Sequence, residues 1–120
     1  MIEYVNKLEV SDYKKILNSA GWKVLSDKQL QNALDNTMIL NVAVSDGVVV
    51  GMARLVGDNA THGLLCDVVV MSEYQKCGIG KGLVTGIVKQ VYEMLEENEQ
   101  FIIELLPATR SEGFLFEVWI

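Results

Sequence analysis

Residues 74–82 (YQKCGIGKG) constrain this chain more than any other stretch of it. They follow the apolar run 64–71 (LLCDVVVM). They precede a helical pattern in which apolar residues recur at Ile79, Leu83, Ile87, Val91, Met94 and Leu95, with Val84 and Val88 widening the stripe. The run predicts a buried strand and the recurrence an amphipathic helix. Gly78, Gly80 and Gly82 join the two. Glycine is entropically costly and belongs where the chain turns sharply or where something must approach the main chain. A strand that turns directly into a helix leaves the first helical amides without carbonyl partners. With the positive end of the helix dipole, those amides form an anion site. Residues 76–81 supply them in a nest-like turn that begins and ends in lysine.

The other elements fall around this unit. Residues 2–8 read as a short strand. Ser11 and Asp12 predict the cap of a first helix that stops at Gly21. Ser26 and Asp27 open a second helix, with Leu30, Ala33 and Leu34 on one face. Strands over 38–44 and 48–56 flank Ser45-Asp46-Gly47, a hairpin signature. Asp58-Asn59 marks the next turn, and residues 101–106 form a last strand halted by Pro107. The order β-α-α-β-β-β-α-β predicts an α/β (α+β) fold, a mixed and mostly antiparallel sheet flanked by helices. At 120 residues, the expectation is one domain over 1–120.

Composition removes several function classes. A net charge of −6 argues against sequence-independent nucleic-acid binding, which needs a basic footprint. The apolar stretches break well before bilayer length, so no membrane span is expected. The first ten residues lack the basic and apolar regions of a secretory signal. Cys66 and Cys77 do not have metal-ligand spacing, so no metal is expected and a reduced, cytoplasmic setting is the simplest reading.

Two phosphate loops fail on the residues. The Rossmann fingerprint needs a third glycine where Leu83 stands. The Walker loop needs a glycine where Gln75 stands and a Ser or Thr where Gly82 stands. The pattern that fits is Q-x-x-G-x-G, as Gln75-Lys76-Cys77-Gly78-Ile79-Gly80. It resembles the signature of the GNAT superfamily of acyl-CoA-dependent N-acetyltransferases. The resemblance covers residues 2–106 and is most specific at 51–83 (GMARLVGD, then DVVVMSEYQKCGIGKGL).

That resemblance implies acetyl-CoA as cosubstrate and an amine acceptor, small or peptide-borne, that attacks the thioester directly. The amides of Lys76, Cys77, Gly78, Ile79, Gly80 and Lys81, after Gln75, would grip the pyrophosphate. The pantetheine arm would add alongside Val68, Val69 and Val70 like a short strand, in a wedge against residues 101–106. A backbone N–H near Val70 would polarise the thioester carbonyl. Asp67, a lone carboxylate in an apolar strand, either faces out and pairs with Arg54 or serves as general base. His62, the single histidine, and Glu104, across the wedge, are further candidates for the base, each equally readable as an ordinary surface residue.

The tail departs from the family pattern. Glu112-Gly113-Phe114 matches the start of a segment whose tyrosine often protonates the leaving thiolate, but Leu115 occupies the tyrosine position. No residue inherits that role, and the final section is read as shortened or altered. A non-catalytic acyl-CoA-binding or dimerisation module of the same fold is therefore the alternative. Residues 113–120 (GFLFEVWI) are apolar and β-prone. They predict a strand that pairs with residues 101–106 or with a second copy, as in a homodimer.

Overall fold

The computed structural model describes residues 1–23, 25–105 and 116–119. Six strands form one sheet in chain order: β1 (Ile2–Val5), β2 (Ile39–Ser45), β3 (Val48–Gly57), β4 (His62–Val70), β5 (Ile102–Leu105) and β6 (Phe116–Trp119). Neighbours are antiparallel except β4 and β5, which run parallel. Helices α1 (Val10–Ser19) and α2 (Asp27–Asp35) lie between β1 and β2, and α3 (Ile79–Met94) is the crossover that makes β4 and β5 parallel. The expected layout holds, and the C-terminal segment adds β6 antiparallel to β5. Pro107 and Leu115 lie outside the described residues.

Local chemistry sets where elements start. Ser26 Oγ accepts from the Gln29 amide at 3.1 Å, capping α2 as expected. At α1 the expectation was displaced: Val10 begins the helix, and Glu9 is the N-cap without a side-chain bond. Asp12 then lies in the first turn, where its charge still favours the helix dipole. His62 and Gly63 belong to β4 rather than to the turn, because Gly63 pairs with Gly57 and lengthens the β3–β4 ladder.

Each face of the sheet carries a core. On one, Ala43, Val50, Ala53, Leu55, Leu65, Phe101 and Ile103 pack against Ile79, Leu83, Ile87 and Val91 of α3. On the other, Val42, Met52 and Val69 pack against Tyr13, Ile16 and Leu17 of α1 and Leu30 of α2. The α3 layer is also pinned by a polar contact: the buried Asn41 of β2 donates to the Leu83 carbonyl at 3.0 Å.

Leu65 and Val69 lie four residues apart, so an unbroken strand would bury them on one face. They are buried on opposite faces. The cause is a β-bulge. Arg54 pairs with Cys66 and Met52 with Val69, leaving Ala53 opposite both Asp67 and Val68. Asp67 takes up the irregularity with φ 53°, a left-handed conformation that Asp tolerates better than most residues.

Side chains from two other elements hold this bulge, and one of them is anchored in turn at the end of α2. Tyr13 Oη of α1 donates to Asp67 Oδ2 at 2.5 Å, and Arg54 Nε of β3 donates to the same oxygen at 2.9 Å. Arg54 also donates from Nη1 to Thr37 Oγ1 (3.1 Å) and to the Ala33 carbonyl (3.3 Å) at the end of α2. Burial, then the bond to Asp67, pushes the Tyr13 phenol well above its ordinary range, so it stays a donor. The Arg54 and Asp67 side chains are only 15% and 18% exposed. Asp67→Asn keeps the shape and the left-handed tolerance but leaves Arg54 uncompensated. We expect a loss of about 2–3 kcal/mol by urea denaturation, somewhat below the roughly 3–5 kcal/mol for breaking a fully buried pair.

Candidate active site

The turn between β4 and α3 is built for main-chain donors. A single 3₁₀ turn, Ser72–Tyr74, leaves the strand. Lys76 (φ 65°) and Gly78 (φ 81°) are then left-handed with Cys77 between them, an alternation that gathers amides on a concave face. The first bond into α3 runs from the Gly82 amide to the Gly78 carbonyl at 3.0 Å. Among the described residues, no amide from 76 to 81 has an acceptor. The contrast with α2 is informative. That helix has a side-chain cap and an aspartate in its first turn, whereas α3 has neither and carries Lys81 there. An unneutralised helix start is favourable to an anion from outside.

The glycines divide by cause. Gly78 is required by its backbone angle. Gly80 is not required by the protein: a Cβ there would meet nothing nearer than Val70 Cγ2, at 3.8 Å. The space above Gly80 is free for a ligand. Ile79 turns its side chain into the core, so only its amide faces the turn, while Lys76, Cys77 and Lys81 are exposed. Gln75 donates its side-chain amide to the Val70 carbonyl at 2.9 Å and ties the turn to the strand end.

Among the described residues, the outer edge of β4 beyond Leu65 is unpaired as well. Its pairing with β5 ends at Leu65↔Leu105, and no described residue pairs with residues 66–70 on that side. Strand amides alternate in direction. The Met71 amide donates to Val50 of β3 at 2.8 Å, so the Val70 amide points the other way, to the open edge. Val69 is buried on the α1–α2 side, and Val68 and Val70 pack on the α3 side. An extended group with amides of its own could add to this edge as a strand does.

The three ionisable candidates share the α1–α2 side of the sheet but not one point. Asp67 sits in the bulge with Oδ2 occupied by Tyr13 and Arg54. Oδ1 has no hydrogen-bond partner among the described residues. His62 and Glu104 lie further down, and both line an open cavity of about 400 Å³ with Val56, Gly57, Asp58, Gly63 and Leu64. Cys66, between the two places, has its thiol pushed up by burial.

The turn at Asp58-Asn59 stands where the sequence predicts it, but the part its aspartate plays in front of His62 was not assigned. Asp58 Oδ1 accepts from the amides of Ala60, Thr61 and His62 (2.9, 2.8 and 3.1 Å), and Oδ2 accepts from Thr61 Oγ1 at 2.7 Å. Those bonds, led by the Thr61 and His62 amides, hold the Asp58 carboxyl well below the usual carboxylate range. The signal was present as Asp-x-x-Thr after a strand, a side chain able to mimic a turn. Tyr13 carried no such signal, because only the tertiary fold brings it to Asp67.

The geometry agrees with what the chain is similar to. The model of the GNAT acetyltransferase family matches residues 2–111. An uncharacterized N-acetyltransferase, ycf52, of Gracilaria tenuistipitata var. liui is 29% identical over 92 residues, 73% of this chain and 49% of that protein. A ycf52-like protein of Prochlorococcus marinus is 28% identical over 72% of this chain and 51% of its own length. The chain thus spans about half the length of these curated relatives. Among solved structures, a probable acetyltransferase of Staphylococcus aureus superposes with a TM-score of 0.80 at 19% identity, covering 94% of this chain and 84% of the other. A GNAT-family acetyltransferase of Streptococcus pneumoniae gives 0.72 at 23% identity, covering 94% and 79%. With the family model matched across both the bulged strand and the glycine turn, this chain belongs to the GNAT acetyltransferase family.

Proposed function

We propose that the chain transfers an acetyl group from acetyl-CoA to an amine, small or peptide-borne, in the cytoplasm. The observation that carries this reading is the row of amides 76–81 without protein acceptors at the start of α3, beside the unfilled space at Gly80. Those amides would hold the pyrophosphate, with Lys76 and Lys81 adding positive charge. The open edge at Val68, Val69 and Val70 would align the pantetheine arm. The Val70 N–H would take the negative charge that develops on the thioester oxygen.

Acetyl-CoA supplies a thioester carbon that a neutral amine attacks directly: a C–N bond forms, the C–S bond breaks and the thiolate leaves. A thiol of ordinary pKa, about 8.5, makes a tolerable leaving group without a general acid. The ammonium proton passes to a base on the α1–α2 side. Asp67 Oδ1, beside Val68 and without a partner among the described residues, is the candidate nearest the assigned acyl position, with His62 and Glu104 too far down the sheet to take it. Asp67 also positions the edge, because its other oxygen anchors the bulge immediately before Val68.

One observation favours a second reading, an acyl-CoA-binding module without transfer. Leu115 stands where the family resemblance places a proton-donating tyrosine. Release of free thiol from acetyl-CoA in the presence of an amine panel decides between the two. We read the assembly as a homodimer, since β6 is an edge strand of the described sheet. Light scattering at micromolar concentration would then give twice the chain mass, and a monomer would remove the dimer from this account.

Gly80→Leu separates ligand space from folding. The helix start tolerates leucine, so its denaturation midpoint should match or exceed that of the parent. Acetyl-CoA affinity by calorimetry should fall about tenfold or more, the equivalent of roughly 1.4 kcal/mol. Gly78→Ala should instead lose about 1–2 kcal/mol of stability through its positive φ. Unchanged affinity in Gly80→Leu would contradict the assigned cofactor turn.

A further inference from the structure

We propose that the cavity around His62 seats a second basic nitrogen of the acceptor, and that Asp58 and Thr61 prepare His62 for it by fixing its tautomer; this rests on the transfer reading above.

The tautomer follows from counting hydrogens. Thr61 Oγ1 lies 2.7 Å from Asp58 Oδ2 and 2.8 Å from His62 Nδ1, and a hydroxyl has one hydrogen to give. Asp58 is held ionised by the turn amides and therefore only accepts. The Thr61 hydrogen goes to Asp58, so Thr61 Oγ1 must accept from His62 Nδ1–H. In the neutral ring this leaves Nε2 as a bare acceptor. Nε2 has no partner among the described residues, and His62 is one of the residues that line the cavity.

The remaining walls suit a cationic group on an aliphatic stem. Val56 and Leu64 are half-exposed apolar side chains. Two carboxylates line the cavity: Asp58 is engaged by the turn, and Glu104 has no hydrogen-bond partner among the described residues. The site therefore offers negative charge and an oriented imidazole beside an apolar floor.

Position excludes the reacting nitrogen. The acyl carbon is assigned next to residues 68–70, whereas the cavity involves residues 62–64 of the same strand. At about 3.3 Å per residue, four to eight steps along the strand put the two roughly 13–26 Å apart. An acceptor that reaches both is elongated and carries a second basic nitrogen at that separation. A linear polyamine and a short basic peptide both have this chemistry.

His62 is the single histidine, so its imidazole nitrogens can be read by ¹⁵N NMR without assignment ambiguity. At pH 8.5, above the ordinary imidazole range, we expect the Nδ1–H tautomer in the parent and in Thr61→Ser, and the Nε2–H tautomer in Thr61→Val. Nε2–H or a doubly protonated ring in the parent would overturn the assignment. This readout needs no activity and stands even if no transfer is found.

With acetyl-CoA as donor, spermine is compared with butylamine, and a pentapeptide with lysine at position 4 or 5 with its alanine counterpart. We expect the member of one pair that carries the additional basic nitrogen to have the lower KM. His62→Ala and Thr61→Val should raise that KM about tenfold or more, as for a lost bond to a charged group, leaving kcat and the acetyl-CoA KM unchanged. Thr61→Ser should retain the parental values. Which pair responds identifies polyamine or peptide. Transfer to all four probes with equal KM would refute the second-cation seat while leaving the transfer reading intact.

Discussion

The rest of the site depends on the break in β4. One extra residue at Asp67 shifts the strand by half a repeat, so that Leu65 and Val69 feed different cores. A regular strand would present the same side chains to one face throughout. The bulge costs a left-handed aspartate, offset by the charged bond to Arg54 and the buried hydroxyl of Tyr13. Because these partners come from α1 and β3, and Arg54 is itself anchored at the end of α2, the edge that would meet the cofactor is fixed by all three together.

The second constraint is electrostatic. Helix starts in soluble proteins ordinarily satisfy their amides with a capping side chain and favour an acid in the first turn. The α2 start does both. The α3 start does neither, has two left-handed residues that gather amides, and carries lysines at both ends of the turn. Water can satisfy those amides, so the fold tolerates the arrangement. What water does not explain is the combination of exposed donors, positive charge and a glycine whose missing side chain no neighbour demands.

Much of this was legible in the sequence because it depends on local order. The apolar run, the glycine spacing and the recurrence from Ile79 to Val91 announce strand, turn and helix without reference to anything distant. The Asp-Gly hairpin and the Ser26 cap are local in the same sense. The α1 start was displaced because Ser11 and Asp12 can both cap and occupy a first turn, and packing of Tyr13 and Ile16 decided the register. The bulge was not legible. Nothing in Cys66-Asp67-Val68 specifies an extra residue until Arg54 and Tyr13 arrive from elsewhere. The joint cavity of His62 and Glu104 likewise arises from the parallel pairing of β4 with β5, which no spacing within either strand reveals.

The most direct test of the central claim is the thermal midpoint of the purified chain with and without excess acetyl-CoA, with AMP as control. A ligand at about 100 times its dissociation constant stabilises a native state by roughly 2.7 kcal/mol, or about 10 °C in a domain of this size. The account predicts a shift of that order with acetyl-CoA and none with AMP. The absence of a shift at millimolar acetyl-CoA would contradict it, because the amides of residues 76–81 would then have no claim to the pyrophosphate.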